Sequence, residues 1–130
     1  MLSIQEIAKR ETIPKKFLEQ VLLALKKTGI VQSSRGKAGG YALRGAPGGV
    51  TLGDIVRAVD GPLAPLGCAN PVAPVKCPDC SNIENCWLQA VMTEVGETVT
   101  AALDQITLAE VCRRAAESQR RGVHTLMYDI

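Results

Sequence analysis

Cys68, Cys77, Cys80 and Cys86 stand close together in the run CANPVAPVKCPDCSNIENCW, spaced C-x8-C-x2-C-x5-C. Thiolates are soft metal ligands, and a group this dense in a chain without an export signal points to metal rather than to disulfides. Four thiolates suit an iron–sulfur cluster or a structural zinc, and spacing alone does not separate the two. Zinc sites typically pair two compact knuckles. Here only Cys77-Pro-Asp-Cys80 is compact, which leans toward a cluster. Unligated thiols are the plainer alternative, and Asp79 and Glu84 are at most spare oxygen ligands. A fifth thiol, Cys112, lies beside Val111 on an apolar helical face and reads as a small core residue.

Nothing else in the sequence assembles a reaction centre. His124 is the single histidine and has no partner that would make it a base, and no nucleophile stands with a base and an orienting group. The chain is therefore read as a non-enzyme. Trp87, next to Cys86, is expected to pack the cysteine loop against the following helix. The run GKAGG at residues 36–40 lacks the spacing and the Ser/Thr helix start of a phosphate-binding loop.

The 130 residues suffice for one domain with a modest core. The start, MLSIQEIAKRETIPKK, has no apolar signal-peptide region, and no later window is apolar enough to span a bilayer. A cytoplasmic location is expected, with thiols reduced unless they bind metal. The net charge of +2 hides an asymmetry: residues 1–45 carry nine Lys/Arg against three Asp/Glu, and residues 46–130 carry six against ten. A basic half joined to an acidic half favours an anionic partner at one end only.

The elements that must position these groups are legible from caps and periodicity. Ser3-Ile4-Gln5-Glu6 is a capping box opening a short helix that ends near Arg10. A tight turn leads to Pro14, suited to the first turn of a second helix running to about Thr28, with Phe17, Leu18, Val21, Leu22 and Leu25 as its apolar stripe. Gly29 stops it. Residues 30–35 and 41–43 flank the glycine-rich turn and predict a hairpin. Residues 51–60 form a helix with Leu52, Ile55, Val56 and Val59 inward, stopped by Gly61-Pro62. From Trp87 to about Leu103 a long helix carries Leu88, Val91, Met92, Val95, Val99 and Leu103, a stripe wide enough for a partner helix. Thr107-Leu108-Ala109-Glu110 is a further capping box opening a last helix, and the tail after Gly122 is expected to fray.

Helix, tight turn, amphipathic helix, hairpin is the order of a winged helix-turn-helix, whose second helix enters the DNA major groove beside a hairpin wing. The expected fold is mainly α, a winged helix-turn-helix with a small β-hairpin wing plus a long dimerisation helix. Its segments are a DNA-binding region (1–60), a cysteine-rich metal or cluster loop (61–86), and a dimerisation helix with a C-terminal helix (87–130). Lys15 and Lys16 begin the recognition helix, where side chains and free N–H groups meet phosphate. Gln20, one turn on, can read a base edge, worth about 1–3 kcal/mol of discrimination in a bidentate contact. Arg35 and Lys37 place positive charge on the wing.

The runs FLEQ, RGKAGGY, DGPLA and ITLAE, in this order around a cysteine cluster and a long helix, are specific in combination. The chain resembles the Rrf-two (Rrf2) family of bacterial transcription regulators over nearly its whole length. That resemblance implies a homodimer joined through the helix from Trp87 onward. It implies DNA contacts from Lys15, Lys16, Glu19 and Gln20, and from Arg35 on the wing. In the family's cluster-binding branches three loop cysteines ligate iron, matched here by Cys77, Cys80 and Cys86. One branch adds a histidine three residues after the last cysteine, where this chain has Gln89. Others draw a ligand from a helix preceding the point where this sequence begins, so Cys68 is the natural fourth ligand here. Without that helix, apolar surface is expected to lie uncovered in the DNA-binding half or near the dimer helix. The expected function is a homodimeric regulator binding a double-stranded DNA operator, its affinity tuned by an iron–sulfur cluster, [2Fe–2S] before [4Fe–4S]. The alternatives are structural zinc, a thiol redox switch, or a metal- or partner-binding protein that no longer reads DNA.

Overall fold

Ser3 accepts the Glu6 N–H (3.2 Å) while its own N–H donates to the Glu6 carboxylate (2.8 Å), so the capping box forms and starts α1, Ile4–Glu11. Thr12 closes α1 in the left-handed region (φ 54°), turning the chain sharply into α2, Lys15–Lys27. The structure, a computed structural model, describes residues 1–122, so His124 and the tail beyond Gly122 lie outside the described residues. Strands β1, Val31–Ser34, and β2, Gly40–Leu43, pair antiparallel with Ser33 opposite Tyr41. The hairpin is thus slightly shorter than expected on its first arm and begins its second arm at Gly40.

A third rung was not foreseen. Leu2 and Tyr41 exchange backbone hydrogen bonds of 3.0 and 2.8 Å, tying the start of the chain to the wing. Gly40 makes this possible: a Cβ there would lie 2.3 Å from the Leu2 carbonyl oxygen. After a 3-10 turn at Pro47–Gly49 comes α3, Leu52–Asp60, opened by a Thr51–Asp54 capping box. The cysteine loop follows, then α4, Trp87–Asp104, and α5, Leu108–Arg120.

Leu18 and Leu22 of α2, Val50, Cys68 and Ala69 are the buried apolar side chains among the described residues. α2 packs on α1 and α3, and α3 packs on α4. The α2 stripe is narrower than its periodicity suggests. Phe17 is 58% exposed, as is much of Leu23, and Met1 and Leu2 also face outward. Val59 of α3 is likewise exposed. Cys112 is exposed rather than a core residue, because Leu108 and Val111 take the inward face of α5 and residue 112 sits one helical step away. The last capping box is only half formed. Thr107 accepts the Glu110 N–H (3.2 Å), but the Glu110 carboxylate binds Arg113 and Arg114 instead.

α3 and the end of α4 are fastened together. Leu52 donates to the Ile106 carbonyl (2.8 Å) and Leu108 to that of Val50 (2.9 Å), while Arg57 grips Asp104. Gly53 is buried under Asp104, and a Cβ there would stand 1.8 Å from the Asp104 Oδ1. Gly53→Ala is expected to cost about 1–2 kcal/mol in urea unfolding, because the held carboxylate must move. In an Asp104→Ala background the same change should cost close to nothing, which a double-mutant cycle measures.

Hydrogen bonds from Arg113 and then Arg114 hold Glu110 down from 4.5 to about 2. A depressed carboxylate contributes stability that is present above its unfolded pKa and lost as pH falls through its folded one. Unfolding stability should therefore decline between about pH 4.5 and 2 with a contribution that Glu110→Gln removes, read by circular dichroism titration.

Candidate functional site: a basic reading face and a cysteine loop

Lys15 and Lys16 are the first two residues of α2 and are fully on its surface, with Glu19 and Gln20 exposed one turn later. Pro14 caps the helix without a side-chain hydrogen bond, so the first N–H groups of α2 point outward among these lysines. Such an end favours an anion through both its donors and its dipole. Arg35 and Lys37 are exposed at the wing tip. The turn beneath them folds tightly because Gly39 has no side chain: a Cβ there would lie 2.4 Å from the Ser34 carbonyl oxygen. Among the described residues no ion pair engages Lys15, Lys16, Arg35 or Lys37. Their charge is free for an outside partner.

The four loop cysteines differ in their footing. Cys68 is buried in a short 3-10 turn, Gly67–Ala69, and its carbonyl accepts from the Gln89 side chain of α4 at 3.5 Å. Cys86 is the N-cap of α4 itself. Cys77 and Cys80 lie between these anchors on an outer turn closed by the Cys80 N–H on the Cys77 carbonyl (3.1 Å), with Cys77 exposed. The loop doubles back because Val75 donates to the Gly67 carbonyl at 2.9 Å, which brings Cys77 toward Cys68.

Burial pushes the Cys68 thiol up, and the neighbouring Cys77 and Cys86 add to the rise through their charge. A cleft of about 480 Å³ is lined by Cys77, Cys80 and Cys86 together with Asp79, Ser81, Asn82 and Asn85. Cys68 thus neighbours Cys77 and Cys86, and Cys80 joins the latter two across the cleft. Among the described residues no three Cys, His, Asp or Glu side chains converge on one metal-sized point. The donor chemistry fits an iron–sulfur group, four thiols with two held on structured backbone. Glu84 lies outside this cleft lining, and its N–H instead caps an Asn82 turn at 3.0 Å.

Trp87 does not clamp the loop. It is 75% exposed and heads an outward row with Val91, Val95 and Val99, each one helical turn apart, beside Leu88. Sequence reasoning also missed Arg57 and Asp104. The Thr51-x-x-Asp54 cap and the Asp54–Arg57 spacing were visible locally, but no local signal announces a carboxylate 47 residues away.

The family model described as the Rrf2 iron-dependent transcriptional regulator matches residues 1–114. An rrf2-like HTH-type regulator of Rhodobacter capsulatus is 43% identical over 110 residues, 85% of this chain and 73% of that one. The HTH-type regulator IscR of Klebsiella pneumoniae is 31% identical over 108 residues, covering 83% of this chain and 63% of its own. Of solved structures, T. potens IscR superposes with a TM-score of 0.67 at 32% identity, over 91% of this chain and 73% of that one. CymR, described as the global cysteine regulator of B. subtilis, gives 0.63 at 27%, over 87% and 78%. The fold and these matches together define a winged-helix transcription regulator. Within that class the chain belongs to the Rrf2 family.

In metal-free protein Cys68 is expected to be the last of the loop thiols to react with iodoacetamide, and its share should grow as pH rises. Mass spectrometry of timed digests reads the order. Early alkylation of Cys68 would contradict its burial.

Proposed function

We propose that this protein is a homodimeric, operator-binding transcription regulator whose DNA affinity is set by an iron–sulfur cluster on Cys68, Cys77, Cys80 and Cys86. The observation that carries the reading is the position of the loop. It is the covalent link from α3, on which the recognition helix packs, to α4, whose first turn Cys86 caps. When bound, an iron–sulfur group supplies a redox- and ligand-sensitive crosslink of the thiolates, [2Fe–2S] being preferred. Drawing the outer turn of Cys77 and Cys80 against Cys68 and Cys86 orders the loop and biases the angle between α3 and α4. A coupling of a few kcal/mol is enough to shift a two-state equilibrium.

Dimerisation is supported by the row Leu88, Val91, Val95 and Val99, which leaves 38–43% of each side chain exposed along one face of α4. An antiparallel partner helix would cover it. Lys15, Lys16, Glu19, Gln20, Arg35 and Lys37 are assigned to DNA, the cations to phosphate and Gln20 to a base edge. A thiol switch without metal is the second reading. It is favoured by Cys68 lying close to Cys77 and by the similarity to CymR.

Anaerobic purification with iron, sulfide and zinc analysis and a visible spectrum tests the cofactor. A red-brown protein with matched iron and sulfide supports the cluster, and Cys80→Ser should lose both colour and the cluster-dependent change in DNA affinity. A colourless zinc protein would replace the cluster by a structural site. DNA binding should weaken steeply with salt, and Arg35→Ala should lower affinity on all sequences and reduce the log–log salt slope by about one. Affinity flat with salt and indifferent to Arg35 would leave a metal- or partner-binding protein.

A further inference from the structure

The reader and α4 meet at two places. One is the cysteine loop, where Pro65 and the Leu63 carbonyl rest against the bare backbone of Gly96. The other is the joint at the far end of α4, and it is made differently. Its two backbone hydrogen bonds, Leu52 to Ile106 and Leu108 to Val50, form a short rung. This one narrow rung fixes where the two segments meet, and the packing of α3 on α4 continues from it.

Arg57 adds a directional contact to that packing. Its Nη2 donates to Asp104 Oδ1 at 2.8 Å and its Nη1 to Asp104 Oδ2 at 3.3 Å, a planar fork on a planar acceptor. The same Nη2 reaches Asp54 Oδ1 at 3.2 Å, and the other Asp54 oxygen accepts the Thr51 N–H at 2.9 Å. The N-cap Thr51, Asp54 of the first turn and Arg57 of the last turn of α3 are thereby linked to the last residue of α4. The Arg57 and Asp104 side chains are 40% and 38% exposed, and pairs so exposed contribute little to stability. Geometry is what such a fork supplies. The tight fit of Asp104 over Gly53 serves no purpose as a plain surface ion pair, but it is needed if the angle must be fixed.

We propose that Arg57 is a positioning residue for DNA recognition. By clamping the end of α4 to α3 it sets the distance and angle between the two recognition helices of the dimer. This rests on the dimeric reading above. α2 rides on α3, so a change of angle at the clamp is carried to Lys15, Lys16 and Gln20. The cysteine loop then acts as the adjustable contact and the clamp as the fixed one.

The test uses the palindromic operator selected in vitro with the wild-type protein, together with versions whose half-site spacing is changed by one base pair. Each such change rotates one half-site by about 35° and moves it by about 3.4 Å. The wild type should lose at least about tenfold in affinity on the altered spacings. Arg57→Ala and Asp104→Asn should bind all spacings within about threefold of one another, with single half-site affinity and thermal midpoint near wild type. Arg57→Lys keeps the charge but not the fork and should behave like them, and it carries the test if Arg57→Ala does not fold. Variants that keep the wild-type spacing preference overturn the positioning role. A wild type indifferent to spacing overturns the dimeric reading itself.

Discussion

Asp104 and Arg57 meet only because residue 53 has no side chain. The carboxylate occupies the space that a Cβ would take, and from there it accepts both arms of a guanidinium one turn along α3. Around this contact the architecture divides into the winged helix-turn-helix on one side and α4 with α5 on the other. α1 and the wing pack on α2, and α2 packs on α3; α5 starts from the backbone rung beside Asp104. The energy of the contact is modest because it is wet. Its value is directional, since a bidentate fork tolerates little rotation.

The cysteine loop is built on the opposite logic. Cys68 is held by burial and Cys86 by its place at the head of α4, while between them Cys77 is exposed and Cys80 half-buried. In the proposed cluster reading, a cofactor would bring the two outer donors to the two anchored ones. The raised Cys68 thiol points the same way: burial and neighbouring sulfurs disfavour its charged form until a cation compensates it. In that proposed reading, occupancy would depend on the conformation of the loop.

How much of this the sequence disclosed follows from the range of each interaction. The helix opened by the reciprocal cap at Ser3, and the one after Thr51 read from its apolar spacing and Gly-Pro stop, were legible to within a residue, because signal and structure are both local. The wing was legible from its glycines. The Leu2–Tyr41 rung, the Thr51–Thr107 rung and the Arg57–Asp104 clamp were not, since each joins residues tens of positions apart. Periodicity also says that a residue is on an apolar face without saying what covers it. That is why Phe17 and Trp87 were placed inside and are found outside. Cys112 failed for a smaller reason, being one helical step off the buried face marked by Val111. The cysteine spacing named the chemistry of the loop but not the difference in footing among its four thiols.

The exposed row on α4 and the thin core bear on one another. Five apolar side chains are buried among the described residues, a small complement for a chain of this size, while Leu88, Val91, Val95 and Val99 stand half covered in register along α4. Covering that row against a second copy would add apolar burial where the single chain is poorest, at about 25 cal/mol per Å² removed from water. Stability and DNA geometry would then share one interface, and whatever tilts α4 would be felt in both.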